Sequence, residues 1–175
     1  MRLRPARMAD EAAMRAGHAE LSDVGFAYLF HPELSWGEQL DIFEREARGA
    51  HLPPGQVPGD YLVAEVAEVG PAGAAGVVGR VSIRHSLTPV LFEIGGHVGY
   101  AVRPAFRGRG YATAMLRLSV LRLAELGVDE VLVTCDEDNT ASRRTIERCG
   151  GVLEDIRHVA EGVPGKRRYW IDSRA

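Results

Sequence analysis

Lysine is almost absent from this chain. Lys166 is the only one, and arginine supplies the rest of a basic complement of 21 residues set against 24 acidic ones. The formal net charge of −3 argues against general nucleic-acid binding, which usually shows a basic surplus. Alongside abundant alanine and glycine, the arginine bias reads as GC-rich coding rather than as function. Cysteine is scarce as well: Cys135 and Cys149 are too few for a disulfide framework. The six histidines are scattered without a Cys/His spacing that suggests zinc, so no metal is expected. No apolar run approaches membrane-spanning length, and Met1-Arg2-Leu3-Arg4-Pro5 leads into polar sequence rather than a signal peptide. The expectation is a cytoplasmic protein with neither nucleic acid nor membrane among its partners.

What is present is ordinary for a globular fold. A length of 175 residues with 46% hydrophobic content suffices for one domain with a real core, residues 1–175. Residues 3–6 read as a short strand, followed from Asp10 by an Ala-rich helix to about Leu21. Trp36, Leu40 and Phe43 recur at helical spacing, and the proline- and glycine-rich stretch 51–60 reads as a loop. Two β-rich runs, 61–69 and 77–85, flank a 71–76 turn and predict a hairpin. A third strand is expected over 91–102, interrupted by Gly95-Gly96, a bulge signal. Then come a helix over 110–126 closed by Gly127, a strand over 131–135, a helix capped by Asp138 or Asn139 and ending at Cys149, and strands over 152–158 and 167–172. Strands first, then alternating strands and helices, predict a mixed α/β (α+β) sheet flanked by helices.

The most informative segment is Arg107-Gly108-Arg109-Gly110-Tyr111-Ala112, placed where an apolar strand gives way to a helix. A helix N-terminus offers unpaired N–H groups and the positive end of the macrodipole, both of which attract anions. Gly108 and Gly110 let the backbone approach a phosphate or adopt positive φ, and Arg107 and Arg109 add guanidinium forks. A diphosphate-bearing ligand is therefore expected here.

These residues resemble a known family. Gly99-Tyr100-Ala101-Val102-Arg103-Pro104 followed by the 107–112 segment resembles the acetyl-CoA signature of the GNAT N-acetyltransferases. Asn139-Thr140-Ala141-Ser142 through Gly150 resembles the family's second block, and residues 3–10 its amino-terminal strand and helix. The resemblance implies a mostly antiparallel sheet with a splayed parallel strand pair, 98–102 and 131–135, forming an acetyl-CoA cleft. It implies that the pantetheine lies along Tyr100, Ala101 and Val102, and that the pyrophosphate rests on the amides of 107–112. Asn139 and Ser142 match positions that contact the pantetheine arm. A strand amide, that of Val98 or Tyr100, would polarise the thioester carbonyl. The implied reaction moves an acetyl group from acetyl-CoA to a primary amine of a small molecule or peptide by direct attack. The family's common homodimer is an open expectation.

Two positions depart from the family pattern. Ile146 stands where many members have a tyrosine that protonates the leaving thiolate. His97 stands where many have a glutamate base, with Glu93 four residues earlier. His97 and Glu93 are therefore the catalytic candidates, the imidazole for its neutral-pH basicity and the carboxylate for its reach through water. Ile146 keeps a second reading open, an acyl-CoA-binding module of weak activity. A third, a dinucleotide-binding oxidoreductase, fails on detail: Thr113 replaces the third glycine, and residues 103–107 separate strand from glycine. Cys135 and Cys149 read as small core residues, and Arg143 and Arg144 as a solvated face or a contact for the 3′-phosphate.

Overall fold

Two antiparallel sheets carry the chain, joined by the segment that precedes the fourth strand. The computed structural model describes residues 1–23, 25–67, 76–158 and 162–175. Its strands are β1 (Arg2–Pro5), β2 (Gly59–Glu65), β3 (Val77–Arg84), β4 (Val98–Val102), β5 (Glu130–Asp136), β6 (Val152–Arg157) and β7 (Lys166–Asp172). Its helices are α1 (Glu11–Ser22), α2 (Trp36–Ala47), α3 (Tyr111–Glu125) and α4 (Thr140–Arg148). The first sheet runs β1-β2-β3-β4 and the second β5-β7-β6, every pair antiparallel. The expected mixed α/β architecture is the one observed.

Local chemistry accounts for the helix ends. Ser35 and Glu38 form a reciprocal capping box at the start of α2: Glu38 N–H donates to Ser35 Oγ, and Ser35 N–H to the Glu38 carboxylate at 2.9 Å. Trp36, Gln39 and Phe43 then fall on one buried face. Asn139 caps α4 through Oδ1, which accepts from Ser142 N–H at 3.0 Å. Gly127, at φ 81°, stops α3 in the left-handed conformation that suits glycine at this position.

Hydrophobic clusters lie on both faces of the first sheet. On one, Val81, Ile83 and Val98 meet Met115, Leu116 and Leu123 of α3, and Val131, Val133, Ile146 and Tyr169 extend the cluster into the second sheet. On the other, Tyr61 and Val63 meet Met14 and Leu21 of α1, Trp36 and Phe43 of α2, and Tyr28 and Leu29 between the helices. The Phe43 and Tyr61 rings stack with centroids 4.1 Å apart.

Two expectations change. The 91–102 strand is shorter: Leu91–Gly95 forms one π-helical turn, and β4 begins at Val98. The extended hairpin arm ends at Glu65, and most of the 71–76 turn lies outside the described residues. Val66 N–H nevertheless donates to Gly76 O at 2.7 Å, and β2 and β3 pair antiparallel.

Candidate active site

β4 and β5 lie side by side but belong to different sheets. They are tied where β4 begins. His97 N–H donates to Leu132 O at 2.7 Å, and Leu132 N–H donates back to His97 Nδ1 at 2.9 Å. His97 O accepts from Arg84 N–H at 2.8 Å, so this residue links β3, β4 and β5. Gly96, at φ 65°, permits the approach: a Cβ there would stand 2.6 Å from Leu132 O. The π-helical turn lies across the same junction, held by Arg84, which donates to Gly96 O at 3.0 Å, and by Thr134, whose hydroxyl donates to Ile94 O at 3.0 Å.

Toward Val102 and Asp136 no ladder joins the two strands. A 3-10 turn, Pro104–Phe106, leads from β4 into the glycine segment. Gly108 and Gly110 adopt φ 75° and 78°, with no atom within 4 Å of the position of a Cβ at either. Gly110 is the N-cap of α3 and supplies no side-chain acceptor. Tyr111, Ala112 and Thr113 therefore open the helix with amides that lack an intrahelical partner. Arg107 and Arg109 are exposed on either side of Gly108. Arg107 Nε donates to Val102 O at 3.3 Å, and the Arg109 guanidinium lies 5.9 Å from the Phe106 ring centroid. Open space, free amides and two exposed cations at a helix entry can accept an anion.

The side chains near the split follow a different pattern from the one expected. Tyr100 OH and Ser142 Oγ hydrogen-bond at 2.9 Å between β4 and α4, and burial pushes the phenol up to about 12. The resemblance implies a backbone role for Tyr100 and a pantetheine contact for Ser142; the hydroxyl pair is not legible in the sequence, because nothing in its spacing aligns residues 42 apart. Asn139 spends its side-chain oxygen on its cap. Ile146 is fully buried against Gly151 rather than lining an open cleft. Cys135 is buried in the core cluster with a thiol pushed up to about 11 by burial, far from a reactive thiolate.

The two catalytic candidates differ sharply. His97 is 6% exposed, and its Nδ1 lone pair is occupied by the Leu132 amide. Burial, then the Arg84 charge, pulls the imidazole down to about 4. Its remaining nitrogen must carry the proton, so no lone pair remains to accept one from an amine. Through its backbone and its ring, His97 ties β4 to β5. Glu93 stands on the π-helical turn with a side chain about half exposed, 3.4 Å from Arg157 on β6. The turn packs toward the second sheet, with Phe92 and Trp170 ring centroids 6.1 Å apart. Glu93 is therefore reachable by a ligand and by water.

Fold and helix entry together define a class: an α/β protein split between two sheets, with an uncapped, glycine-led helix start beside the split. A family model described as Acetyltransferase (GNAT) domain matches residues 1–152. The chain belongs to the GNAT acetyltransferase family. No curated protein matches the sequence. Among solved structures, Mycobacterium smegmatis RimJ in complex with CoA-disulfide superimposes with TM-score 0.71 at 20% identity, over 98% of this chain and 81% of that one. YncA from Salmonella typhimurium, a putative acetyltransferase with acetyl-CoA, gives 0.65 at 18% identity over 98% and 93%. RimL, a ribosomal L7/L12 α-N-protein acetyltransferase in complex with coenzyme A, gives 0.66 at 18% over 98% and 94%. At these identities the likeness establishes the fold. Among the described residues, no helix is long and apolar enough to cross a membrane.

Proposed function

We propose that this chain is an acetyl-CoA-dependent N-acetyltransferase acting on a primary amine of a small molecule or peptide, with residues 1–175 as one catalytic domain. The observation that carries the reading is the uncapped start of α3, entered through two left-handed glycines with open space above them, at the open side of the β4–β5 split. Amides of 108–112 with Arg107 and Arg109 would hold the donor's diphosphate, and the β4 backbone at Tyr100, Ala101 and Val102 its pantetheine. The donor supplies an activated acetyl thioester. Asn139 caps α4 at Ser142 N–H, and the Ser142 hydroxyl meets Tyr100 OH on β4.

In this reading the amine nitrogen attacks the carbonyl carbon, a C–N bond forms and the C–S bond breaks. Glu93 takes the ammonium proton, directly or through water. The Tyr100–Ser142 hydroxyl pair, rather than a residue at position 146, donates to the departing sulfur. Both cysteines are free, which suits a reducing compartment such as the cytoplasm. A second reading, CoA binding without turnover, rests on buried Ile146. Incubation with acetyl-CoA and an amine panel, reading free thiol, separates the two. Amine-dependent thiol release supports the enzyme, and CoA binding in calorimetry with no release under any acceptor overturns it.

A further inference from the structure

Strand β3 reads Val77-Val78-Gly79-Arg80-Val81-Ser82-Ile83-Arg84, and its two arginines stand in a mostly apolar run. Gly79 faces α3, where a Cβ would stand 3.2 Å from Met115 Cε. Arg80 faces the other way, under the segment between α1 and α2. Its guanidinium lies 4.8 Å from the ring centroid of Phe26, 5.2 Å from Phe30 and 5.4 Å from Tyr61. Arg80 is 3% exposed. Its partners are all uncharged: the carbonyls of Ala27 and Tyr28, and more distantly Ser82 Oγ and Gly99 O at 3.3 and 3.4 Å. Above Gly99, in the middle of β4, a Cβ would meet Ser82 Oγ at 3.0 Å and Arg80 Nη1 at 3.8 Å. A permanent positive charge thus borders the β4 segment assigned to the thioester.

Arg84 stands four residues along the same strand, an even number, so both side chains leave one face. It donates through Nη1 to Gly95 O and Gly96 O, while Nε and Nη2 have no partner among the described residues. Burial, then the neighbouring Arg80 charge, lowers its pKa. No carboxylate among the described residues compensates either guanidinium. Elsewhere in the same chain Arg4 and Arg103, buried like Arg80, each hold a carboxylate within 3 Å. Carbonyls and aromatic faces solvate a guanidinium but do not neutralise it.

Building on the proposed acetyltransfer, we infer that the acceptor is an amine carrying an anionic group, a carboxylate a few bonds from its nitrogen, with Arg84 as the contact and Arg80 as the fixed charge behind it. An ammonium with no anion of its own is repelled at this wall, and a polycation most of all. An amino-acid-like acceptor brings the missing negative charge and leaves its amine at β4. Free Nε and Nη2 of Arg84 provide the two-pronged geometry that suits a carboxylate.

The test compares L-glutamate, its diamide, the dipeptide glutamyl-alanine and spermidine, by turnover and by calorimetry on the CoA-loaded protein. Carboxylate-bearing amines should be preferred in kcat/KM by about tenfold or more over the diamide, with spermidine last. The dipeptide separates a free amino acid from a peptide terminus as the source. Arg84→Gln should collapse the preference through KM, and Arg84→Lys should restore part of it, with CoA affinity checking that each variant folds. Equal use of diamide and glutamate, or a preference that survives Arg84→Gln, overturns the inference while leaving acetyltransfer intact. Glutamate binding that is lost in Arg84→Gln supports it even without turnover, in which case the acetyltransferase reading is what fails. Absence of glutamate binding to the wild-type protein overturns it as well.

Discussion

The β4–β5 split has two sides built on opposite principles. At the His97 side the chain is tied to itself: amide to carbonyl, amide to imidazole, guanidinium to carbonyl, hydroxyl to carbonyl. At the Arg107 side the helix start is uncapped, two glycines face open space, and two arginines are exposed. Both sides use a glycine at positive φ, for different reasons. Gly96 is squeezed, since a Cβ would strike Leu132 O, whereas a Cβ on Gly108 or Gly110 would strike nothing. Glycine at the first position lets the protein approach itself, and at the second it leaves room for something else. The tied side holds the strands in register so that the open side keeps its shape without a partner.

That contrast breaks most visibly at Gly96. Gly96→Val combines a β-branched side chain at φ 65° with a backbone clash. The expected loss is roughly 2–6 kcal/mol from strain and forced displacement, a large part of a typical stability of about 5–15 kcal/mol. Chemical denaturation checks it, and a fully stable variant would show that the junction is not tight.

Next in size is the exchange of roles between the two catalytic candidates. Glu93→Gln should lower kcat by about 10²–10⁴, the usual span for loss of a general base. His97→Ala should instead cost stability, about 1–3 kcal/mol for a buried amide left unpaired. Steady-state kinetics beside melting curves read both, and a normally stable His97→Ala with the larger kcat loss reverses the assignment.

At the open side the effects fall on affinity. Gly110→Val should abolish most CoA binding with only a modest drop in melting temperature, because no atom crowds the new side chain although its φ is strained. Arg107→Ala should weaken CoA by about 1–3 kcal/mol. Unchanged calorimetric affinity in both would move the diphosphate elsewhere.

The smallest effect sharpens the comparison through pH. The folded His97 imidazole sits near 4, below its ordinary value of about 6.5. The folded state therefore binds this proton less readily than the unfolded chain. The stabilisation is complete above pH 6.5 and is lost as pH falls toward 4. An NMR titration in which His97 protonates near 6.5 would mean that the Leu132 amide does not hold it.

Much of this protein was legible in its residues. The order of strands and helices, the Asn139 cap, the Gly127 stop and the helix entry at 107–112 depend on near neighbours in the chain. Local chemistry dictates them: a short polar side chain before a helix, a residue without Cβ after one, two glycines where the backbone must turn. The role of His97, the π-helical turn, the Tyr100–Ser142 contact and the uncompensated Arg80–Arg84 wall were decided by tertiary structure alone. Each depends on a partner remote in the chain or on a missing carboxylate, as with Leu132, 35 residues beyond His97. A side chain's residue type states what it can do; which lone pair is still free, and which charge is left unmatched, is set by what the fold brings against it.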